Sequence, residues 1–208
     1  MRTNTRARLF IKLNSWNTLA LHIVRALWPN VKWIFLYRDP IEILVSNLRS
    51  KPSWLEQRTS SRRASAFFGF TPKDVEAMSV EEFGARVVAK YYSNAAAMAD
   101  EHGLLMDYRQ LNANGLRQIL MFFGVSRDEL EDSKIEEVLS FYSKDEDRLR
   151  PFIEDSDEKQ SSASVALRLA VDKWATGAFE YLAAVATAQH QSAHSISTTT
   201  SLSYRHCI

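Results

Sequence analysis

Arg38 and Ser46 are the two side chains whose types and spacing are best suited to chemistry. A guanidinium forks onto two oxygens of a phosphate, and a hydroxyl eight residues further on adds a donor from the helix that follows. Glu42, Ser46 and Arg49 recur at i, i+4 and i+7, so they share one helical face, and Arg49 is a further candidate to meet the same anion. A plainer alternative stands beside this one: Arg38 pairs with Asp39 or a neighbouring carboxylate, and Ser46 is merely solvated.

The elements that must position these groups are legible around them. Trp33 to Tyr37 is an unbroken apolar run of strand-favouring residues, the pattern of a strand covered on both faces in a parallel sheet. Asp39 sits where an N-cap belongs and Pro40 at the first helical position, so a helix starts immediately after Arg38. Arg38 therefore lies at the carboxyl end of a strand, the edge at which open α/β sheets bind ligands.

Upstream, Arg8 to Leu13 reads as a short strand. Leu19, Leu21, Ile23, Val24 and Leu27 read as an amphipathic helix stopped at Pro29-Asn30. With the strand at 32 to 37 this makes a βαβ unit with a right-handed crossover, which puts Lys12 at the same sheet edge as Arg38. Downstream, residues 50 to 73 read as a long irregular loop, with a lid preferred over disorder, and Ser79-Val-Glu-Glu82 reads as a capping box opening a helix. Leu104 to Tyr108 is a third strand. A helix with Leu116, Ile119, Leu120 and Phe123 follows it, and an acidic helix spans Ser126 to Lys144. Asp145 to Ser164 has the charged, serine-rich composition of a linker, and Leu167 to Val185 carries the period of a final helix. After about Ala188 no period remains, so the expectation is one domain over 1–187 and a disordered tail over 188–208. The fold class is three-layer α/β, a parallel sheet flanked by helices.

The segment from Lys32 to Arg49 resembles the sulfotransferases that use 3′-phosphoadenosine 5′-phosphosulfate. That family has a strand ending in Arg-Asp-Pro followed by a helix with Ser eight residues after the Arg, matched here by Arg38-Asp39-Pro40 and Ser46. The resemblance covers roughly residues 8 to 125. It implies that Arg38 and Ser46 hold the 3′-phosphate of the cofactor and that Tyr108, in Leu-Met-Asp-Tyr-Arg-Gln-Leu, lies near the adenine. It further implies that Lys12 stabilises charge on the transferring group. Asn14 stands where the family's catalytic His would be and cannot act as a general base at neutral pH, a loss on the order of 10² to 10⁴ in rate. Arg109 and Gln110 replace an acidic pair. The family's glycine- or serine-containing loop for the 5′-phosphosulfate would precede Arg8, and none of the six glycines belongs to such a loop. The implied fold is P-loop-kinase-like with its first strand missing.

Two functions follow from the resemblance. One is transfer of a sulfuryl group to a hydroxyl or amine of a small-molecule or carbohydrate acceptor. The other is a catalytically inactive, sulfotransferase-like binding or structural module. The net charge of +1 hides an asymmetry: residues 1–73 hold 13 Lys and Arg against 3 Asp and Glu, while the remainder holds 13 against 22. The basic part is the part with the anion site. No zinc set, ribonucleoprotein motif or recognition-helix pattern accompanies it, which argues against nucleic acid. His190 and His194 are spaced i, i+4 without carboxylate or cysteine partners, so no metal is expected. No apolar run is long enough for a membrane span, and no signal-peptide pattern opens the sequence. With Cys207 the single cysteine, no internal disulfide is possible, in keeping with a cytoplasmic location.

Overall fold

The computed structural model describes residues 8–140 and 155–203. Two strands, β1 (Trp33–Tyr37) and β2 (Gly103–Asp107), form a parallel pair with Trp33 opposite Gly103 and Tyr37 opposite Asp107. Helices supply most of the rest, an α/β arrangement around a small sheet. The third strand begins one residue before its expected start, and Tyr108 opens a 3₁₀ turn rather than closing the strand.

The strand expected over 8–13 does not form. Residues 8–14 are irregular, with Leu9 83% and Ile11 71% exposed. Side chains hold this stretch instead: Arg8 donates to the Gly124 carbonyl (3.0 Å) and to Glu129 (2.8 Å), and the Phe10 ring meets Phe123 edge-on at 5.3 Å. An apolar run becomes a strand only where a ladder partner satisfies its backbone, and among the described residues the sheet consists of β1 and β2 alone. The helix expected next begins as a 3₁₀ turn, Ser15–Ala20, before α1 (Leu21–Leu27).

α2 (Pro40–Ser50) starts as its sequence dictates, the Asp39 carboxylate accepting from the N–H groups of Ile41 (2.9 Å) and Glu42 (3.3 Å). Residues 50–73 are not an open loop. They fold into α3 (Ser53–Glu56), α4 (Ser61–Phe68) and the start of α5 (Pro72–Ala77), with Ser60 and Thr71 as N-caps and Gly69 at φ 67° ending α4. The phenylalanines expected in a lid serve the core: Phe68 and Phe70 are buried, with ring centroids 5.7 and 5.8 Å from that of Phe83. α6 (Val80–Ala97) opens with Ser79 accepting from Glu82 N–H at 3.1 Å and buries Val87, Val88, Tyr91, Tyr92 and Ala95, the stripe its period predicts.

After β2 come α7 (Ala113–Phe122), α8 (Asp132–Ser140), α9 (Ser156–Ser162), α10 (Val165–Trp174) and α11 (Thr176–Ser203). The acidic helix expected from Ser126 begins at Asp132, and its expected end beyond 140 lies outside the described residues, as does 145–154 of the expected linker. The single closing helix is two helices, broken at Ala175, and the backbone of α11 stays helical past Ala188 to Ser203.

Phe35 and Tyr37, two residues apart and so on one face of β1, meet Tyr92 of α6 (6.3 Å between centroids) and Phe179 of α11 (5.9 Å). α7 approaches the other face of the sheet. A Cβ at Gly115 would lie 3.7 Å from the Met106 sulfur, an ordinary contact, but 2.9 Å from the Gln110 carbonyl carbon, so it is the turn before α7 that requires glycine there. The outer edge of β2 is closed by one side chain of α11. Gln189 accepts from Leu105 N–H (3.4 Å) and donates to the carbonyls of Gly103 (3.0 Å) and Asp100 (3.2 Å), taking the place of a third strand's backbone.

Candidate functional site

The register that sets Tyr37 against Asp107 also sets the next residues, Arg38 and Tyr108, side by side at the carboxyl ends of the two strands. The Arg38 guanidinium stands 5.0 Å from the centroid of the Tyr108 ring, a cation–π contact. Two candidates seventy residues apart in sequence thus meet at one corner. The corner is braced from behind by Tyr92, buried on α6, whose hydroxyl donates to the Arg38 carbonyl at 2.5 Å. Burial, with the nearby carboxylates of Asp39 and Asp107 adding to it, holds the Tyr92 phenol well above its ordinary pKa, so it stays a donor.

Arg38 itself is largely committed within the protein. Its Nε donates to Glu42 one turn along α2, and its Nη2 donates to Asp155 Oδ1 (2.7 Å) and Ser156 Oγ (3.2 Å). Burial disfavours the guanidinium charge, but the hydrogen bonds to Asp155 and Glu42 outweigh it and raise the pKa. Asp155 is shared with Lys159, whose Nζ lies 2.6 Å from Oδ2. These two cations overcome the burial penalty and lower the Asp155 pKa. The plainer expectation, Arg38 paired with a neighbouring carboxylate, is thus met by Glu42 and Asp155, while Asp39 caps α2 and accepts from Gln160 (3.0 Å).

The remaining candidates divide. Ser46 is half-buried on α2, and no hydrogen bond joins it to Arg38. Arg49 reaches Glu158 (2.9 Å) and Ser162 (3.0 Å). Lys12 and Asn14 are exposed on the irregular stretch before the first 3₁₀ turn; without a strand at 8–13 the sheet edge that was to carry them beside Arg38 is not formed. Arg109 forks onto Asp107, Nε to Oδ1 at 3.0 Å and Nη2 to Oδ2 at 2.6 Å, and the Gln110 side chain accepts from Asp107 N–H at 3.2 Å, so the two residues that replace the expected acidic pair fix the turn carrying Tyr108. Sequence reading placed Glu42 only on the polar face of α2, without its bond to Arg38, and missed Asp155, Ser156, Lys159 and Gln160. The i, i+4 spacings Arg38–Glu42 and Asp155–Lys159 were the available signal.

Among the described residues no three His, Cys, Asp or Glu side chains converge to hold a metal, and no helix is long and apolar enough to cross a membrane. No family model, no curated protein and no solved structure matches the chain.

Proposed function

We propose that this chain is a sulfotransferase-like protein whose β1–α2 corner takes the adenosine 3′-phosphate end of 3′-phosphoadenosine 5′-phosphosulfate. The observation that carries the reading is the juxtaposition of Arg38 and Tyr108 at the carboxyl edge of a parallel strand pair, a cation beside an aromatic face, with Ser46 and Arg49 on the adjoining helix. Such a corner suits a phosphorylated nucleoside: the guanidinium meets the phosphate and the phenol ring lies against the base. In this reading the fold is P-loop-kinase-like, and the activity is in-line transfer of a sulfuryl group to a hydroxyl or amine of a small-molecule or carbohydrate acceptor. The S–O bond to the cofactor phosphate breaks as a bond to the acceptor forms, and the acceptor proton leaves to a base.

A second reading, a nucleotide-binding module without turnover, is favoured by the exposed, irregular placement of Lys12 and Asn14. Calorimetry with adenosine 3′,5′-bisphosphate tests the binding that both readings share. Binding weakened on the order of 10²-fold by Arg38→Ala supports the corner, and no binding at millimolar ligand refutes it. Radiolabelled sulfuryl transfer with an acceptor panel separates the two, since any turnover by the chain alone eliminates the inactive module.

A further inference from the structure

α9 (Ser156–Ser162) and the residue before it lie along the polar face of α2, and their contacts fall on the residues of the proposed phosphate corner. Asp155 and Ser156 accept from Arg38, Ser156 Oγ donates to Glu42 (3.2 Å), Gln160 donates to Asp39, and Arg49 donates to Glu158 and Ser162. Two carboxylates three residues apart, Asp155 at the N-cap of α9 and Glu158 within it, thus engage two arginines eleven residues apart, Arg38 at the end of β1 and Arg49 on α2. A carboxylate on an arginine presents the same pair of anionic oxygens that a phosphate presents.

The composition of α9 says what holds it there. Ser-Asp-Glu-Lys-Gln-Ser-Ser contains no apolar residue, and its one buried side chain is Lys159. It is seated by hydrogen bonds and ion pairs, without an apolar anchor in the core. The outer of those pairs, Arg49 with Glu158, has side chains 55% and 65% exposed. Elements held this way open at little cost, because water and ions replace such contacts far more readily than buried apolar area.

We infer that α9 is an internal competitor for the anion corner, with Asp155 and Glu158 standing on Arg38 and Arg49 in place of phosphate oxygens, so that a phosphorylated ligand binds by displacing it. This rests on the proposed function, since it takes that corner as the phosphate site. The closed helix reduces the apparent affinity by the fraction of molecules in which it is open. It also surrounds the site with Asp155, Glu158, Asp39 and Glu42, a field that repels a phosphate dianion while the helix is seated.

Calorimetric titration of the full chain with adenosine 3′,5′-bisphosphate, for the native protein and for Asp155→Asn/Glu158→Gln, tests it. The double variant binds about ten-fold more tightly. In the native protein, saturating ligand speeds amide hydrogen exchange across residues 156–162. Glu158→Gln alone, at an exposed position, tightens binding about three-fold and keeps the test open should the double variant fail to fold. Equal affinity of variant and native protein, or slower exchange of 156–162 with ligand bound, overturns the competitor and makes α9 a fixed wall of the site while the proposed function stands. Failure of every form to bind removes the phosphate corner, and the competitor with it.

Discussion

Arg38→Ala reaches further than the loss of one charge. Its guanidinium makes charge-assisted bonds to Glu42 and Asp155, a bond to Ser156 and a cation–π contact with Tyr108. Bonds to charged groups contribute about 1.5 to 3 kcal/mol each where water is excluded, and the aromatic contact about 0.5 to 1. Exposure decides how much of that survives. The Arg38 and Glu42 side chains are 18% and 7% exposed, so that pair keeps most of its value, while Asp155 at 33% keeps less and retains Lys159. The dominant cost is the Glu42 carboxylate left buried without its cation, and the expected loss is about 3 kcal/mol at pH 7. Arg38→Ala/Glu42→Gln removes that stranded charge and recovers about 1 to 2 kcal/mol, which sets the coupling energy between the two positions at about 1.5 kcal/mol plus whatever Glu42→Gln costs by itself. Urea unfolding followed by tryptophan fluorescence measures the four members of the cycle, with the m-value unchanged between them. An Arg38→Ala loss below about 1 kcal/mol, or additivity within about 0.5 kcal/mol, would show that the pair is screened by water and that the corner is not built as described.

Gly103→Ala places a methyl 2.6 Å from Trp33 Cε2 in the paired register of the sheet and costs about 1 to 3 kcal/mol of unfolding free energy, with a change in near-UV tryptophan ellipticity. Tyr92→Phe strands the Arg38 carbonyl and costs about 1 kcal/mol at pH 7 by the same urea assay. Because burial raises the Tyr92 phenol above its ordinary 10.0, the native protein has this contribution intact below that value and loses it as the pH climbs toward the raised pKa. The alkaline decline of the urea midpoint is therefore steeper in the native protein than in Tyr92→Phe. The Glu129 carboxyl, hydrogen-bonded by Arg8 and Ser126, titrates at about 2 rather than 4.5, so its contact is complete above the ordinary carboxylate range and fades as the pH falls toward 2. Carbon-13 NMR reads that midpoint directly, and Arg8→Ala moves it upward.

β1, the Asp39-Pro40 start of α2 and the buried stripe of α6 were legible because each is fixed by neighbours in sequence: an apolar run, a cap, a period. The strand at 8–13 was misread for the complementary reason. Its apolar run is a necessary condition for a strand, and the ladder that makes it sufficient comes from elsewhere in the chain. Residues 50–73 deceived by composition. Proline, serine and arginine suggested a loop, yet Ser60, Thr71 and Gly69 are stop and start signals for short helices, and the phenylalanines pay for them by packing on Phe83. At the site, Arg38 and Ser46 were found from their own segment. Of the groups that answer Arg38, Glu42 stands on that same segment, while Asp155 and Ser156 come from more than a hundred positions away, in a stretch whose composition gives no hint of what it touches.

The side-chain amide of Gln189 has a bearing on how copies of this chain meet. It occupies two hydrogen-bonding groups on the outer edge of β2, Leu105 N–H and the Gly103 carbonyl, and among the described residues no third strand pairs with either strand. A sheet with two open edges grows without limit, since each added copy brings a fresh edge for the next. Growth through the β2 edge requires an incoming strand to displace that glutamine, so a single amide blunts the sheet against edge-to-edge addition on that side.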